Sequence, residues 1–388
     1  MILRKLSLSM NLSIQPMNNK KIIFFVNSSW AAYKFRLNLA NELTKNGFNV
    51  KFVIPSEDEY FIKISRNYQC IHLPMSQTGM NLYSEMLVLF RLIFIVRKER
   101  PDFLLSFSIK PNIYSNIVSS LFNIKTVNNI SGLGSTHLSN GFKYSFINYM
   151  YRFSFKYAHK VFFQNKSDKN YFIKSFNLNS KKVRLIPGSG VDLSIFKPHK
   201  ARQKLQNQGV FSFLYIGRVL IDKGLREFYQ AAQLVKNHYD KEIQFIIVGD
   251  RCSDHISTIP FEEFNAWVES KTIKYLDYVE NIKPLIINSD CVVLPSYREG
   301  LPRSLLESFA LMKPIIASKV PGCEDVVDHE MNGFLCKPKS PTSLANSMIK
   351  MIEIGESKRK EFGLNGRKKV EKFFSEELVF KEYLKALR

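Results

Sequence analysis

The chain has 388 residues, 45% of them hydrophobic and 13% aromatic, with 56 Lys and Arg against 34 Asp and Glu for a formal charge of +22. A chain this long and this apolar buries a sizeable core, which excludes a disordered protein, a peptide hormone and a disulfide mini-scaffold, and it has room for two or three domains of roughly 150 residues. The charge is lopsided: residues 1–200 carry 28 basic and 9 acidic side chains, net +19, and residues 201–388 carry 28 and 25, net +3. That excess points to an anionic partner, whether nucleic acid, a membrane surface or a phosphorylated substrate.

Residues 1–19 read as a mobile leader, because their apolar stretch is broken by Ser and Asn and no small-residue cleavage site follows. The run Lys21–Val26 predicts a buried parallel strand, and Tyr33–Asn46 a helix that stops at Gly47. Strands are predicted at Val50–Ile54, Phe103–Phe107 and Thr126–Ile130, with helices near Asn81–Lys98 and Pro111–Phe122 between them. Short strands near Val161–Phe163 and Val183–Ile186 close this half. Pro187–Gly190 and Phe196–Asn207 read as a linker. The alternation then restarts with strands at Phe211–Ile216, Glu242–Val248, Thr272–Tyr275, Asp290–Leu294 and Pro314–Ala317. Helices are predicted at Asp222–Lys236, Asn281–Asn288 and Pro302–Leu311, and the remainder reads as mostly helical. Two βα repeats predict two doubly wound parallel sheets joined near residue 200, with ligands at the carboxyl ends of the strands.

The five cysteines, Cys70, Cys252, Cys291, Cys323 and Cys336, are odd in number and form no C-x-x-C pair. This argues against a disulfide framework or a zinc site and fits a reducing compartment. The longest apolar run, Met86–Val96, spans 11 residues and contains Arg91, too little to cross a bilayer.

Two segments carry chemistry. Gly217-Arg218…Asp222-Lys223-Gly224 follows a predicted strand and opens a helix, with Gly217 permitting a sharp turn and Asp222 placed to cap the helix. Arg218 and Lys223 then put two cations beside a helix's positive end, a site for a diphosphate. Alone, the segment reads better as an ordinary strand–helix turn with two surface cations. The second segment follows Cys291–Leu294 and holds Glu299 and Glu307 eight positions apart within Arg298-Glu-Gly-Leu-Pro302-Arg-Ser-Leu-Leu-Glu307. Gly300 allows close backbone approach and Pro302 suits the first position of a helix whose free N–H groups face an anion. Carboxylates at 299 and 307 accept from the vicinal hydroxyls of a sugar or ribose.

At these residues the chain resembles glycosyltransferase family 4, the retaining, nucleotide-sugar-dependent enzymes of GT-B fold. The match rests on Gly217-Arg218…Lys223-Gly224, on Glu299…Glu307, and on the Lys313–Val327 and Asn332–Cys336 segments that follow. It is looser over Asn27–Arg36, Lys110–Tyr114 and Ser131–Gly134. The likeness is to the bacterial branch that builds lipid-linked surface polysaccharides. It implies a GT-B α/β fold, two Rossmann-like domains facing a central cleft: residues 20–198 for the acceptor and membrane, 199–372 for the nucleotide sugar, and a helix at 373–388 returning to the first domain. It implies that Arg218 and Lys223 hold the donor diphosphate, with Gly217 at the turn. Glu299 meets the donor sugar, Gly300 and Leu301 lend amides, Pro302 begins the helix and Glu307 takes the ribose. Tyr278 and Val279 flank the base. Catalytic status falls to Glu299, Arg218 and Lys223, with no metal and no cofactor apart from a UDP-sugar as donor. Lys110, Asn112, Gly134 and His137 are the acceptor-side candidates. The chain departs from the family pattern at Asn27–Lys34, where Trp30 and Tyr33 replace a glycine-rich loop.

The implied reaction moves a hexose or N-acetylhexosamine, N-acetylgalactosamine first, to an undecaprenyl-diphosphate-linked saccharide. A nucleotide-sugar epimerase of the same fold and a non-catalytic sugar-nucleotide-binding protein are the rival readings. Between Phe142 and Phe176 thirteen aromatics alternate with seven Lys or Arg and only Asp168 is acidic, a composition that suits an anionic membrane surface. The expected address is therefore cytoplasmic, peripheral on the inner face of the plasma membrane. No zinc-finger spacing, RNP-like strand or GxxG loop supports nucleic acid as the partner.

Overall fold

The computed structural model describes residues 19–76, 81–132, 142–198, 210–251 and 255–388. These fall into two compact units, 1–128 with 157–159, and 129–156 with 160–388. Gly134, His137, Cys252 and most of the leader and linker lie outside the described residues.

The first sheet begins with Lys21–Phe25 (β1), whose four apolar residues are fully buried as expected for a parallel strand covered on both faces. Its remaining strands are Asn49–Ile54 (β2), Gln69–His72 (β3), Phe103–Phe107 (β4), Lys125–Ile130 (β5), Lys160–Phe163 (β6) and Val183–Leu185 (β7), in the order β3-β2-β1-β4-β5-β6-β7. Ser28 caps Ser29–Lys45 (α1), so this helix starts four residues before the predicted Tyr33. Asp58 caps Glu59–Ser65 (α2), accepting from the Tyr60 and Phe61 amides at 3.0 Å. Asn81 caps Leu82–Glu99 (α3), which buries Val88, Leu92 and Val96. Ile109–Phe122 (α4), Phe142–Ser154 (α5) and Lys166–Phe176 (α6) complete this part.

The second sheet consists of Phe211–Ile216 (β8), Ile243–Val248 (β9), Lys274–Leu276 (β10), Cys291–Leu294 (β11), Ile315–Ser318 (β12) and Gly333–Cys336 (β13). Its order is β10-β9-β8-β11-β12-β13, all pairs parallel. The strand order reverses between β8 and β11, so the loops leaving these two neighbours diverge and leave a crevice at their carboxyl ends. The helices are Leu225–His238 (α7), Phe261–Glu269 (α8), Lys283–Asn288 (α9), Arg303–Ala310 (α10), Cys323–Val326 (α11), Pro341–Glu353 (α12), Gly355–Phe373 (α13) and Glu376–Ala386 (α14). Tyr383 of α14 is fully buried, packs edge-on to Phe162 and accepts a 2.8 Å hydrogen bond from Asn129.

Several expectations are corrected. The helix predicted from Asp222 begins at Leu225, because Ile221–Lys223 forms a 3-10 turn that ends on Gly224 at φ 73°. Asp222 therefore sits inside the turn and caps nothing. Pro302 occupies the cap position of α10, with ψ 113°, rather than its first turn. The aromatic run at 142–176 is in good part core. Tyr151, Phe155, Phe172 and Phe176 form a ring cluster with centroids 4.8–6.0 Å apart, and Phe162 and Phe163 are buried in β6. Among the described side chains of that stretch, Tyr149, Phe153 and Tyr157 are the exposed aromatics.

Candidate active site

The site is built where β8 and β11 end. After β8 the Gly217 amide donates to Val248 at 3.0 Å, and the Tyr215 hydroxyl donates to the Arg218 carbonyl at 2.9 Å. A side chain on Gly217 would meet that hydroxyl at 2.9 Å, so the turn is closed around glycine. Arg218 emerges exposed, with no ion partner among the described residues.

The loop after β11 is locked to this turn through backbone. The Tyr297 amide donates to the Asp222 carbonyl at 2.9 Å. A Cβ on Gly224 would lie 2.0 Å from the Pro295 carbonyl, and its positive φ is a second reason for glycine there. The Tyr297 hydroxyl donates to Glu227 at 2.8 Å. Lys223 Nζ pairs with Glu299 Oε1 at 2.7 Å, and the same oxygen accepts from Ser296 at 2.7 Å. Two groups 76 residues apart in sequence thus share one mostly buried ion pair at the crevice.

The stretch Arg298–Leu301 is also gripped from another direction. The Arg298 guanidinium pairs with Asp168, whose carboxylate is buried. Asn165 caps α6 by accepting from the Asp168 amide at 2.7 Å, and its own amide donates to Asp168 and to the Gly300 carbonyl, both at 2.9 Å. A Cβ on Gly300 would fall 1.9 Å from the Ser131 carbonyl. Gly322, at φ 84°, brings the start of α11 against the carbonyls of Glu299 and Gly300. Asn165, Asp168 and Arg298 escaped the sequence reading. A capping Asn three residues before an Asp was the available signal.

Glu307 lies one turn into α10 and is held by Arg303, Nε to Oε1 at 2.8 Å; Arg303 also reaches Glu376 at 3.7 Å. Tyr278 is exposed beyond β10, its amide donating to Asp277 at 2.7 Å, while Val279 packs on the core. Beside the two cations stands His255. Burial, then Arg218, and more weakly Lys223, hold its protonation midpoint below the ordinary 6.5 against the pull of Asp222. Its Nδ1 accepts from the Ser257 amide at 3.1 Å, which fixes the neutral ring. Cys323 is buried below the Glu299 loop, its thiol pushed well up by burial and by the Glu299 charge.

Of the acceptor-side candidates, Lys110 is paired with Glu85 and donates to the Ser76 carbonyl at 2.8 Å. Asn112 is fully buried and its side-chain oxygen accepts from the Ser106 hydroxyl at 2.9 Å, which ties α4 to β4.

An exposed guanidinium, an ammonium shared with a carboxylate, and the amides of Gly300 and Leu301 before α10 together offer charge and donors to a diphosphate, with Glu299 and Glu307 as acceptors for hydroxyls. The family described as "Glycosyl transferases group 1" matches residues 196–369, and "Glycosyl transferase 4-like" matches residues 21–165. The chain is a glycosyltransferase of the GT-B fold and family 4 type. A relative from Campylobacter jejuni, named N,N'-diacetylbacillosaminyl-diphospho-undecaprenol alpha-1,3-N-acetylgalactosaminyltransferase, is 28% identical, covering 94% of this chain and 97% of its own. The capsular polysaccharide biosynthesis glycosyltransferase CapM of Staphylococcus aureus is 24% identical over 94% and 96% of the two chains. Among solved structures, Anabaena HepE in complex with UDP-glucose superposes with a TM-score of 0.79 at 18% identity, covering 95% of this chain and 99% of that one, a likeness of fold.

Proposed function

We propose that the enzyme transfers a hexose or N-acetylhexosamine, N-acetylgalactosamine first, from a UDP-sugar to an undecaprenyl-diphosphate-linked saccharide in surface polysaccharide or glycan assembly, with retention at the anomeric carbon. The observation that carries the reading is the Lys223–Glu299 pair, set beside Arg218 where the two phosphate-suited loops interlock. The name of the Campylobacter jejuni relative, which matches nearly the whole chain, supports the acceptor class, and that of CapM supports surface polysaccharide assembly.

In this reading Arg218 and Lys223 bind the donor diphosphate and stabilise the charge that develops as it leaves, the main source of rate acceleration open to such a site. A bound diphosphate competes with Glu299 for Lys223 and frees the carboxylate to accept from the donor sugar. Glu307 takes the ribose hydroxyls, Tyr278 and Val279 flank the base, and the amides of Gly300 and Leu301 face phosphate and sugar. The bond from the anomeric carbon to the phosphate oxygen breaks on the face where the acceptor oxygen bonds, and the acceptor proton passes to the departing phosphate oxygen. Residues 20–198 form the acceptor- and membrane-facing domain and residues 199–372 the donor domain, with 373–388 returning to the first. The enzyme works as a peripheral protein on the cytoplasmic face of a bacterial plasma membrane. Lys110 remains the acceptor-side residue of choice, together with Gly134 and His137.

The test is UDP release on addition of membrane extract by the wild type, Glu299→Ala and Lys223→Ala. Both variants are expected to lose at least a hundredfold in turnover. Wild-type turnover in both refutes the site assignment. Thermal shifts across a panel of nucleotide sugars identify the donor.

A further inference from the structure

Helix α3 is apolar on both sides, although only one side meets the protein. Val88, Leu92 and Val96 are buried. On the other side Leu82 (72% exposed), Tyr83 (73%), Met86 (49%), Phe90 (55%) and Phe94 (70%) stand in solvent. At 100° per residue these five fall within an arc of about 120°, centred roughly opposite the buried three. Isolated exposed apolar residues need no explanation, whereas five on one helical face form a surface that water does not favour.

The charges on the helix are sorted as well. Its two acids are turned inward and neutralised: Glu85 takes Lys110 and Tyr114, and Glu99 takes Lys51. Its cations Arg91, Arg97 and Lys98 are exposed. At the same angular spacing Arg97 continues the apolar stripe toward the helix end, and Lys98 and Arg91 both lie just beyond one edge of it. Aromatic and aliphatic side chains beside outward cations, with no outward acid, complement an apolar layer under negative headgroups.

We propose that the outer face of α3 is the surface by which this glycosyltransferase lies on an anionic bilayer, with Leu82, Met86, Phe90 and Phe94 entering the headgroup boundary and Arg91, Arg97 and Lys98 engaging the anionic lipids. This deepens the reading of a membrane-borne acceptor and rests on it. It moves the contact from the aromatic run at 142–176, much of which is core, to a helix that nothing else in the described structure covers.

The full chain is mixed with vesicles of phosphatidylcholine alone or with phosphatidylglycerol, and the bound fraction is measured by sedimentation. Wild type is expected to bind the anionic vesicles and to be released as salt rises. Phe90→Ser/Phe94→Ser is expected to bind at least tenfold more weakly, with melting midpoint and donor hydrolysis unchanged. Arg91→Ser/Arg97→Ser is expected to lose the preference for phosphatidylglycerol. Wild-type binding by the Phe90/Phe94 variant overturns the proposal. If Tyr149→Ser/Phe153→Ser alone loses binding, the membrane reading stands and the α3 assignment falls. A wild-type chain indifferent to both vesicles overturns both. A dimer that the α3 substitutions dissociate without affecting vesicle binding gives the face to a second copy and refutes the proposal. Intact vesicle binding with no transfer to any lipid-linked saccharide rejects the acceptor reading alone.

Discussion

Replacing Asp168 by Ala is expected to damage the loop after β11, to which the proposal assigns the donor, from a distance. Asp168 is 1% exposed and its partner Arg298 is 22% exposed. The substitution leaves a guanidinium largely out of water, with an Nε that already lacks a partner. Removing one member of a buried pair costs about 3–5 kcal/mol, and the residual solvent access of Arg298 favours the lower end, about 3 kcal/mol. Asn165 loses one of its two amide acceptors, a further loss of about 1 kcal/mol. Because Glu299 and Gly300 follow Arg298 directly, release of this anchor also shifts the donor loop, and displacements near 1 Å cost up to about a hundredfold in rate. The assay pairs a melting midpoint with kcat/KM for the donor. Asp168→Leu/Arg298→Met, which removes both charges, is expected to recover at least half of the thermal loss. Additive losses in the double variant, or unchanged kcat/KM in Asp168→Ala, refute the coupling.

Gly300→Ala forces a methyl onto the Ser131 carbonyl, 1.9 Å from its ideal position, and is expected to reduce transfer at least a hundredfold in a chain that still folds, as judged by circular dichroism. His255 is expected to titrate below 6.5 by imidazole NMR, and its contribution to stability, full above pH 6.5, declines as the pH falls through that value toward the lowered folded midpoint. Adding UDP brings negative charge to Arg218 and Lys223 and is expected to raise that midpoint; an unmoved resonance argues that the diphosphate binds elsewhere. Tyr297→Phe removes the 2.8 Å hydrogen bond to Glu227, whose other carboxylate oxygen is buried without a partner, and is expected to lower stability by about 2 kcal/mol in urea unfolding.

The loops that follow β8 and β11 were legible in sequence because their requirements are local. A strand end, a glycine and a cation must follow one another within a few residues, and carboxylates eight positions apart survive any change elsewhere in the chain. Both sheets announced themselves by apolar runs buried on two faces. What stayed hidden is settled by packing. Asp168 lies 130 residues from Arg298, and no pattern in either segment names the other. Residues Gln69–His72 are only partly buried at the sheet edge, so β3 lacks the apolar run that marks its neighbours. Strand β13 opens with a glycine whose Cβ would strike the Ile315 carbonyl at 2.2 Å, a contact invisible without β12 beside it. The aromatic stretch at 142–176 was only partly legible for the opposite reason: composition alone does not distinguish a ring turned outward from one turned toward α6.

Helix α14 bears on the order in which the molecule matures. Asn129 and Tyr383 meet across 254 residues of sequence. At synthesis rates of about 5–20 residues per second, roughly 13–50 s separate the emergence of one from the other. Until α14 is made, the Phe162 ring lacks its edge-on partner. Slowing synthesis between residues 162 and 383 lengthens that wait.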